Sequence, residues 1–322
     1  MRKRHVQGGA ALLVAMLTVT LVATLAAGAM WQQWRSVEVE AADRSRVQSS
    51  WILNGALDWA RLILREDFIA GRIDHLAEPW AVPLQEARLS TFLAADPNNT
   101  MDAGDAADNV FLSGEISDQQ AKLNLANLIS AGSPNKPVVD QFARLFDVLG
   151  LPQDQLAKLV DNLRFAEDIH VENLNAGKAS LVPQRLEQLA WLGVPQETIA
   201  ALQPYATVLP TTSSTVNINT APAEVLHAIG DKVSLADAKR LVAERERQAF
   251  NNVADTARIL PSGSSIATGF PAGAVASDYF EVRGRLRLDD VVIEERSLIR
   301  RIGTRVVVLQ RERGAFQEAA PR

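Results

Sequence analysis

The sequence predicts an α+β protein in which a long N-terminal helix packs on a small antiparallel sheet, with a large all-α domain inserted into the sheet. Three observations support this prediction. The chain opens with an apolar run that continues as an amphipathic pattern. Its C-terminal part alternates apolar and charged residues, and about 160 residues between these parts carry apolar side chains at helical spacing.

The opening segment predicts a membrane-spanning helix. Arg2, Lys3 and Arg4 precede residues 10–31, a run of 22 residues without a charge. As a helix this run spans about 33 Å, which is enough to cross the hydrocarbon core of a bilayer, and the basic flank places the N-terminus in the cytoplasm. The alternative is a cleaved secretory signal peptide, whose apolar stretch is usually shorter.

The same helix is predicted to continue to about Phe68. Apolar residues recur at spacings that fit one helix face, whereas charged residues fall elsewhere. These apolar positions are Trp51, Leu53, Leu57, Ala60, Leu62 and Leu64. Beyond the membrane, the helix is therefore expected to be half buried.

The C-terminal part predicts three consecutive antiparallel strands. Residues 279–288 alternate apolar and charged side chains with a period of two. Turn residues at 289–290 and 302–303 separate this strand from two others, at 291–299 and 304–311.

A further strand is predicted at 109–116. It would be unstable alone, so we expect it to join the C-terminal strands, with the helical residues inserted between the parts of one sheet. Residues 69–108 predict an irregular connection. Residues 119–150 predict packed helices that Pro134 and Pro137 interrupt.

Composition and motifs argue against an enzyme. At 322 residues and 47% hydrophobic content the chain can bury one large core or two smaller ones, and its net charge of −5 offers no basic field for nucleic acid. Without cysteine, thiolate sites and disulfides are excluded. The sequence has no nucleophile elbow, P-loop, zincin or dinucleotide fingerprint, and its four histidines lie far apart.

The junction before the apolar run resembles the prepilin-peptidase signature of type IV pilins and pseudopilins. Basic residues are followed by Gly8 and Gly9, and then by the apolar helix from Ala10. The resemblance implies cleavage between Gly9 and Ala10, with methylation of the new amino terminus. Residues 1–9 would then be the leader.

Leu12, Leu13 and Val14 open the assembly helix that this resemblance implies. In most such subunits the fifth mature residue is a glutamate that pairs with a neighbouring subunit's amino terminus. Here that position is Val14. A carboxylate in lipid costs several kcal/mol unless it is paired, so a subunit with no subunit above it can omit the glutamate. The K-type minor pseudopilins share this substitution.

The whole chain resembles the K-type minor pseudopilin family (GspK) of type II secretion systems. The resemblance rests on the sequence from Phe111 to Asp118, on Leu123 to Leu128 with its Asn-Leu pairs, and on Glu78-Pro79-Trp80-Ala81. It implies a pilin-like α/β domain interrupted by a helical domain. The implied divisions are a leader at 1–9, a transmembrane part at 10–31, a pilin-like domain at 32–117 and 276–322, and the inserted helical domain at 118–275.

The resemblance also implies the function of a minor pseudopilin. The chain would sit in the inner membrane with a single pass and its C-terminal domain in the periplasm. It would form the pseudopilus tip with I- and J-type minor pseudopilins and initiate assembly of the pseudopilus. Further implied partners are the major pseudopilin, the prepilin peptidase and the inner-membrane assembly platform, and no nucleic acid is expected.

A membrane-anchored DNA receptor is the alternative function. Residues 216–226 and the helix at 238–247 resemble the helix-hairpin-helix element of competence-type receptors, in which hairpin amides approach a phosphate. In this chain the hairpin keeps one glycine, Gly230, and Asp231 would repel a phosphate. The structural interpretation is a small helical module, also found in the K family, with Thr220 as cap and Pro222 in the first turn.

One metal site is predicted. Asp105, Asp108, Glu115 and Asp118 supply enough oxygen donors to hold calcium if the loop folds back, and calcium is known in the K family. The alternative is that these acids are solvated loop residues, because the segment has no EF-hand register.

We expect the mature chain to begin at Ala10. Mass spectrometry of the protein expressed with prepilin peptidase should show the loss of residues 1–9, and the same expression without the peptidase should leave them in place. A chain that still starts at Met1 in both strains, or one cut near residue 30, would contradict the resemblance.

Overall fold

The structure, a computed structural model, describes residues 8–94, 110–168, 176–266, 273–288 and 291–314. It divides into two compact units, Met1–Gly55 and Ala56–Arg322. The first unit contains the N-terminal part of a long helix, and the second contains a five-stranded sheet together with a helical region. The predicted α+β fold class is confirmed.

Helix α1 comprises Gly8–Ala70. By length and composition its N-terminal part is apolar enough to cross a membrane. Side chains there are exposed, with Leu12 at 66% and Leu17 at 69%. The helix ends where the N–H of Gly71 donates to the carbonyl of Asp67 over 2.9 Å. The end predicted near Phe68 is therefore correct to within two residues.

One face of the last turns of α1 packs on the sheet. Leu57, Ala60 and Leu64 are buried in a small core, as predicted. The prediction was wrong for Trp51 and Leu62, which are exposed. A step of two residues turns the side chain by about 200° around the axis, so Leu62 cannot share the face of Ala60 and Leu64. The other members of this core are Trp80, Phe280, Val282, Ile299 and Val306.

The strands of the sheet are β1 (Leu84–Arg88), β2 (Val110–Asp118), β3 (Tyr279–Leu288), β4 (Val291–Ile302) and β5 (Arg305–Gly314). The sheet is antiparallel throughout, in the order β1-β2-β3-β4-β5. The predicted pairing of the isolated strand is confirmed, because β2 lies beside β3 along its whole length. The predicted turn at 302–303 is also present, with Gly303 at a φ of 61°. The turn predicted at 289–290 lies outside the described residues.

The prediction of an irregular connection over 69–108 was wrong in part. Strand β1 lies there and is followed by helix α2, Leu89–Ala94. Strand β1 lacks alternation in sequence, and its conformation comes from pairing with β2, where Ala87 lies opposite Leu112. This pairing is tertiary information that a local pattern does not carry.

The described residues of the helical region form five α-helices: α3 (Lys136–Leu149), α4 (Gln153–Glu167), α5 (Gln196–Leu202), α6 (Ala223–Ile229) and α7 (Leu235–Arg247). Their apolar faces share one core, in which Phe142, Phe146 and Leu226 are completely buried. This core is separate from the one under α1. The predicted domain boundaries at 118 and 275 stay predictions.

Residues 119–135 were predicted as packed helix, and this was wrong. Short 3₁₀ turns at Gln119–Ala121 and Leu125–Leu128 alternate with two-residue strands. Side chains cap each turn, because Asp118 accepts from the N–H of Gln120 and Asn124 accepts from that of Ala126. Further 3₁₀ turns in the described part of the chain are Pro79–Ala81, Ala176–Lys178, Leu186–Leu192 and Val253–Arg258.

The described part of the helical region also contains three pairs of short strands, each strand two residues long. Leu123–Asn124 runs parallel to Ala206–Thr207, and Val216–Asn217 runs parallel to Gly273–Ala274. The third is a hairpin between Ile129–Ser130 and Ser133–Pro134. The second pair places the Asn217 side chain beside the start of β3, where the chain returns to the sheet.

Candidate functional site

A cluster of buried polar side chains lies where α1 ends, where β2 leaves the sheet and where β3 re-enters it. Its central members are Asp74, Asp118, Asn217, Ser277 and Arg301, each at most 4% exposed. We call this set the polar junction. Buried polar groups are stable only when they are hydrogen-bonded, so each contact in the polar junction matters to the fold.

Arg301, near the end of β4, is the one cation of the polar junction. Its Nη2 donates to both carboxylate oxygens of Asp74, at 2.5 and 2.6 Å, and to the carbonyl of Ser277 at 2.8 Å. Its Nη1 donates to Asp67 Oδ2, in the last turn of α1, at 2.8 Å. The Phe280 ring lies 5.0 Å from the guanidinium carbon and shields it from water.

Asp74 connects three segments of the chain. Its N–H donates to the carbonyl of Val275 at 2.9 Å, and its carboxylate accepts from the N–H of Ser277 at 2.7 Å. Its own carbonyl accepts from Asn217 Nδ2 at 3.1 Å. The loop that follows α1 is thereby tied both to β3 and to the helical region.

Asp118 fixes the point where β2 passes into the helical region. Its Oδ2 accepts from Ser277 Oγ and Thr220 Oγ1, each at 2.6 Å, and from Asn217 Nδ2 at 3.1 Å. Its Oδ1 accepts from the N–H of Gln120 at 2.7 Å. Burial raises the pKa of Asp118 to about 6, and the hydrogen bonds from Ser277, Thr220 and Gln120 limit that rise.

The prediction that Thr220 caps a helix was wrong. Helix α6 begins after Pro222, without a side-chain cap, and the Thr220 hydroxyl donates to Asp118 instead. A hydroxyl with a buried carboxylate in reach forms the stronger, charge-assisted bond. The pattern that could have revealed this role is the alternation of buried asparagines with buried apolar residues from Val216 to Asn219.

The sequence analysis missed the roles of Asp74 and Arg301. They lie 227 residues apart, so no local spacing relates them. Arg301 does share the strand face of Ile299, which is completely buried, and a charge on an apolar face is the signal that was available.

The structure separates the two described members of the predicted calcium site. Glu115 Oε1 lies 3.0 Å from Arg283 Nη1, whereas Asp118 belongs to the polar junction. Residues three apart in a strand face opposite sides of the sheet. Asp105 and Asp108 lie outside the described residues, so calcium binding by this set stays a prediction.

The other predicted site residues lie at the start of α1. Gly9 and Ala10 belong to its first turns, and cleavage between them stays a prediction. Leu12, Leu13 and Val14 are 60–70% exposed on the helix surface. Their role in assembly also stays a prediction.

The hairpin between α6 and α7 is occupied by contacts within the chain. The N–H of Asp231 donates to the carbonyl of Ser265 at 2.8 Å, and the reverse bond is 3.0 Å long. Ser264 Oγ donates to the carbonyl of Lys232. The amide of Asp231, which a phosphate would have to approach, therefore already has a partner.

Two arginines near this hairpin are also engaged. Arg245 donates to the carbonyls of Ile218 and Ala221, and Arg240 forms an ion pair with Asp237. The module therefore has the connectivity of a helix-hairpin-helix element without a free basic surface at these positions.

Comparison with known proteins covers both the helical region and the whole chain. Two family models, each described as type II secretion system protein K, match residues 121–211 and 216–276. Over these two segments the chain is similar to type II secretion system protein K. The name that both models carry describes a component of the type II secretion system.

Similar proteins extend the match over the full length. Type II secretion system protein K of Pectobacterium carotovorum subsp. carotovorum is 26% identical over 351 aligned positions, which cover 100% of both chains. The protein of that name from Pseudomonas aeruginosa is 26% identical, over 89% of this chain and 86% of its own.

A solved structure shares the fold. A chain in the crystal structure of the GspK–GspI–GspJ complex from enterotoxigenic Escherichia coli superposes with a TM-score of 0.59. The match has 18% sequence identity and covers 85% of this chain and 99% of the other. It supports the fold of a long helix, an antiparallel sheet and a further helical region.

We expect Arg301→Ala to destabilise the protein by about 3–5 kcal/mol, because it leaves the Asp74 carboxylate buried without its cation. Urea unfolding of the full chain in detergent measures this loss. Arg305→Ala, at an exposed position of β5, is the matched control and should change the free energy of unfolding by less than about 0.5 kcal/mol. Equal effects of the two substitutions would contradict the central role of Arg301.

We expect Thr220→Val to destabilise the protein more at pH 8 than at pH 5. The pKa of Asp118 is raised to about 6, so its carboxylate is ionised at pH 8, where the lost hydrogen bond contributes about 1.5–3 kcal/mol. At pH 5 the neutral carboxyl accepts a weaker bond, of about 1 kcal/mol.

The matched control for Thr220→Val is Thr198→Val. Thr198 is also buried, and its hydroxyl donates to the neutral side chain of Gln155 at 2.6 Å. We expect its loss to cost about 1 kcal/mol at both pH values in the same urea titrations. A pH-independent effect of Thr220→Val would show that the Asp118 carboxyl does not titrate in this range.

Proposed function

We propose that the chain forms the tip of the pseudopilus together with I- and J-type minor pseudopilins, and that it initiates assembly of the pseudopilus. The observation that carries this proposal is helix α1, whose apolar N-terminal side chains are exposed over many turns. Such a surface needs lipid or other apolar helices around it. A helix that is first a membrane anchor and then part of a filament core meets both needs.

The same helix supports a single pass through the inner membrane. The span begins beside the basic residues of the N-terminus, which stay in the cytoplasm, so the sheet and the helical region lie in the periplasm. Prepilin peptidase, the inner-membrane assembly platform and the major pseudopilin are the partners that such a subunit meets in turn.

Small side chains within the span permit close contact between helices. Ala23, Ala26, Ala27 and Gly28 follow one another on adjacent turns. Apart from the backbone of the helix itself and the neighbours of Gly28 in the chain, no atom of the described residues lies within 4 Å of the position that a Cβ on Gly28 would occupy. Van der Waals packing through small residues is the main attraction between helices in lipid.

A position at the tip follows from two features. Val14 replaces the glutamate that would pair with the amino terminus of a neighbouring subunit. The inserted helical region, with its own core, adds bulk to the sheet that other subunits would otherwise cover. A subunit of this kind can start a filament, and further subunits are not easily added above it. The name of the similar GspK–GspI–GspJ complex supports I- and J-type partners.

The DNA-receptor alternative has less support. The hairpin amide of Asp231 is bonded to Ser265, and Arg245 donates to carbonyls of its own module. Calcium binding by the acids Asp105, Asp108, Glu115 and Asp118 stays part of the proposal as a structural ion. Because Glu115 and Asp118 face opposite sides of β2, one ion would take a ligand from only one of them, together with the loop acids.

We expect replacement of residues 10–31 by an unrelated membrane anchor to abolish secretion and co-purification with I- and J-type minor pseudopilins. The replacement keeps the protein at the membrane, so the loss would report helix packing rather than attachment. Exoprotein release and affinity purification from detergent measure the two effects. The matched control is Leu181→Ala, a change of one exposed side chain in the helical region, which should preserve both.

Full secretion with the unrelated anchor would refute an assembly role of α1. Salt-dependent retardation of duplex DNA by the full chain, together with intact secretion after deletion of the gene, would favour the DNA receptor instead.

A further inference from the structure

Three carboxylates and one guanidinium meet at the end of helix α1. Oxygens of Asp67, Asp74 and Glu78 lie within 4.8 Å of one another, and Arg301 donates to Asp67 and Asp74. If all three carboxyls were ionised, the group would carry a net charge of −2 in a largely buried place. Like charges this close cannot all ionise easily, so the arrangement favours a bound proton.

Two of the carboxylates have hydrogen-bond donors that stabilise the ionised form. Glu78 Oε2 accepts from Trp80 Nε1 at 2.7 Å and from the N–H of His75 at 2.8 Å. Asp74 accepts from the N–H of Ser277 and from Arg301 Nη2. Each of these two carboxylates therefore has two donors, whereas among the described residues the Asp67 carboxyl accepts from Arg301 alone.

Asp67 is the carboxyl for which ionisation is least favourable. Arg301 Nη1 donates to it at 2.8 Å, and its side chain is 9% exposed. It lies in the last turn of α1, where the helix carbonyls add negative partial charge. Burial raises the pKa of Asp67 to about 7, with further contributions from the charges of Glu78 and Asp74, while Arg301 opposes the rise.

The other charged groups near this cluster are few among the described residues. His75 Nε2 lies 3.9 Å from Glu78 Oε1, on the side of Glu78. The Arg72 guanidinium lies over the ring of Phe68, the residue that follows Asp67, at 5.3 Å from the centre of that ring. Arg301 is the cation in direct contact with the Asp67 carboxyl.

We propose that Asp67 carries the proton of this cluster at mildly acidic pH, and that the last turn of α1 is held on the sheet by a clamp that loosens when this proton is lost. When Asp67 is neutral, the positive charge of Arg301 is paired with the Asp74 carboxylate, and the end of helix α1 packs against these two side chains. With Asp67 ionised, a third anion adjoins Asp74 and Glu78, and the turn closed by Gly71 and Asp67 is repelled from the loop that follows it. The clamp does not depend on the proposed position at the pseudopilus tip.

The sign of the pH effect follows from linkage. An aspartate in the unfolded chain titrates near pH 3.9, whereas folded Asp67 holds its proton to higher pH. Between about pH 4 and pH 7 the folded protein therefore binds more protons than the unfolded protein at this site. The stability that the site contributes is complete below this interval and is lost as the pH rises through it.

The first experiment compares the full chain with Asp67→Asn in detergent, by urea unfolding at pH 5, 6, 7 and 8. Asparagine can still accept from Arg301 but cannot titrate. From pH 5 to pH 7 the unfolding constant of the wild type should rise relative to that of Asp67→Asn, by up to about tenfold per pH unit. The matched control is Asp58→Asn, at a 69% exposed position of the same helix, which should follow the wild type. Identical pH profiles for wild type and Asp67→Asn would overturn the proposal.

The second experiment does not need the variant to fold. The full chain, labelled with ¹³C at aspartate side-chain carboxyls, is titrated by NMR, and the Asp67 signal is assigned through its backbone correlations. A midpoint above about pH 5.5 supports the clamp, because an aspartate without it titrates near 3.9. A midpoint at or below about pH 5.5 overturns it.

Discussion

The burial of the Arg301 guanidinium is the constraint on which the second unit depends. A buried cation destabilises a protein by several kcal/mol unless its charge and its donors are matched. Asp74, Asp67 and the Ser277 carbonyl provide that match, and they come from the loop after α1, the helix itself and the start of β3. Since a domain is stable by only about 5–15 kcal/mol, these segments must assemble together or not at all.

The polar junction extends this constraint to the helical region. Asp118 and Asn217 join the two places where the chain passes between the sheet and the helices, and both contact Ser277. The cores on either side are separate and apolar, so they could tolerate many relative orientations. Directional hydrogen bonds to buried charges select one of these orientations. They therefore fix how the large helical insertion is placed on the small sheet.

Helix α1 contributes residues to both units, and its apolar side chains have a different environment in each. In the second unit, Leu57, Ala60 and Leu64 are covered by the sheet, and the opposite face carries charged and half-buried residues. In the first unit the large apolar side chains from Leu12 to Met30 are exposed, so lipid or a neighbouring helix must cover them. The proposed function agrees with this division, because in it one part of the helix organises the domain and the other organises the assembly.

The sequence by itself determined the features that repeat along the chain. The charge-free run and the spacing of Leu57, Ala60 and Leu64 determined α1, and the period-two alternation of residues 279–288 determined β3, because local geometry repeats every 3.6 or 2 residues. The turn residues at 289–290 and 302–303 then separated β4 and β5 from it. Only the tertiary structure decided strand β1, the role of Thr220 and the meeting of Asp74 with Arg301. Their conformations depend on partners far away in sequence, and no local period records a contact across 227 residues.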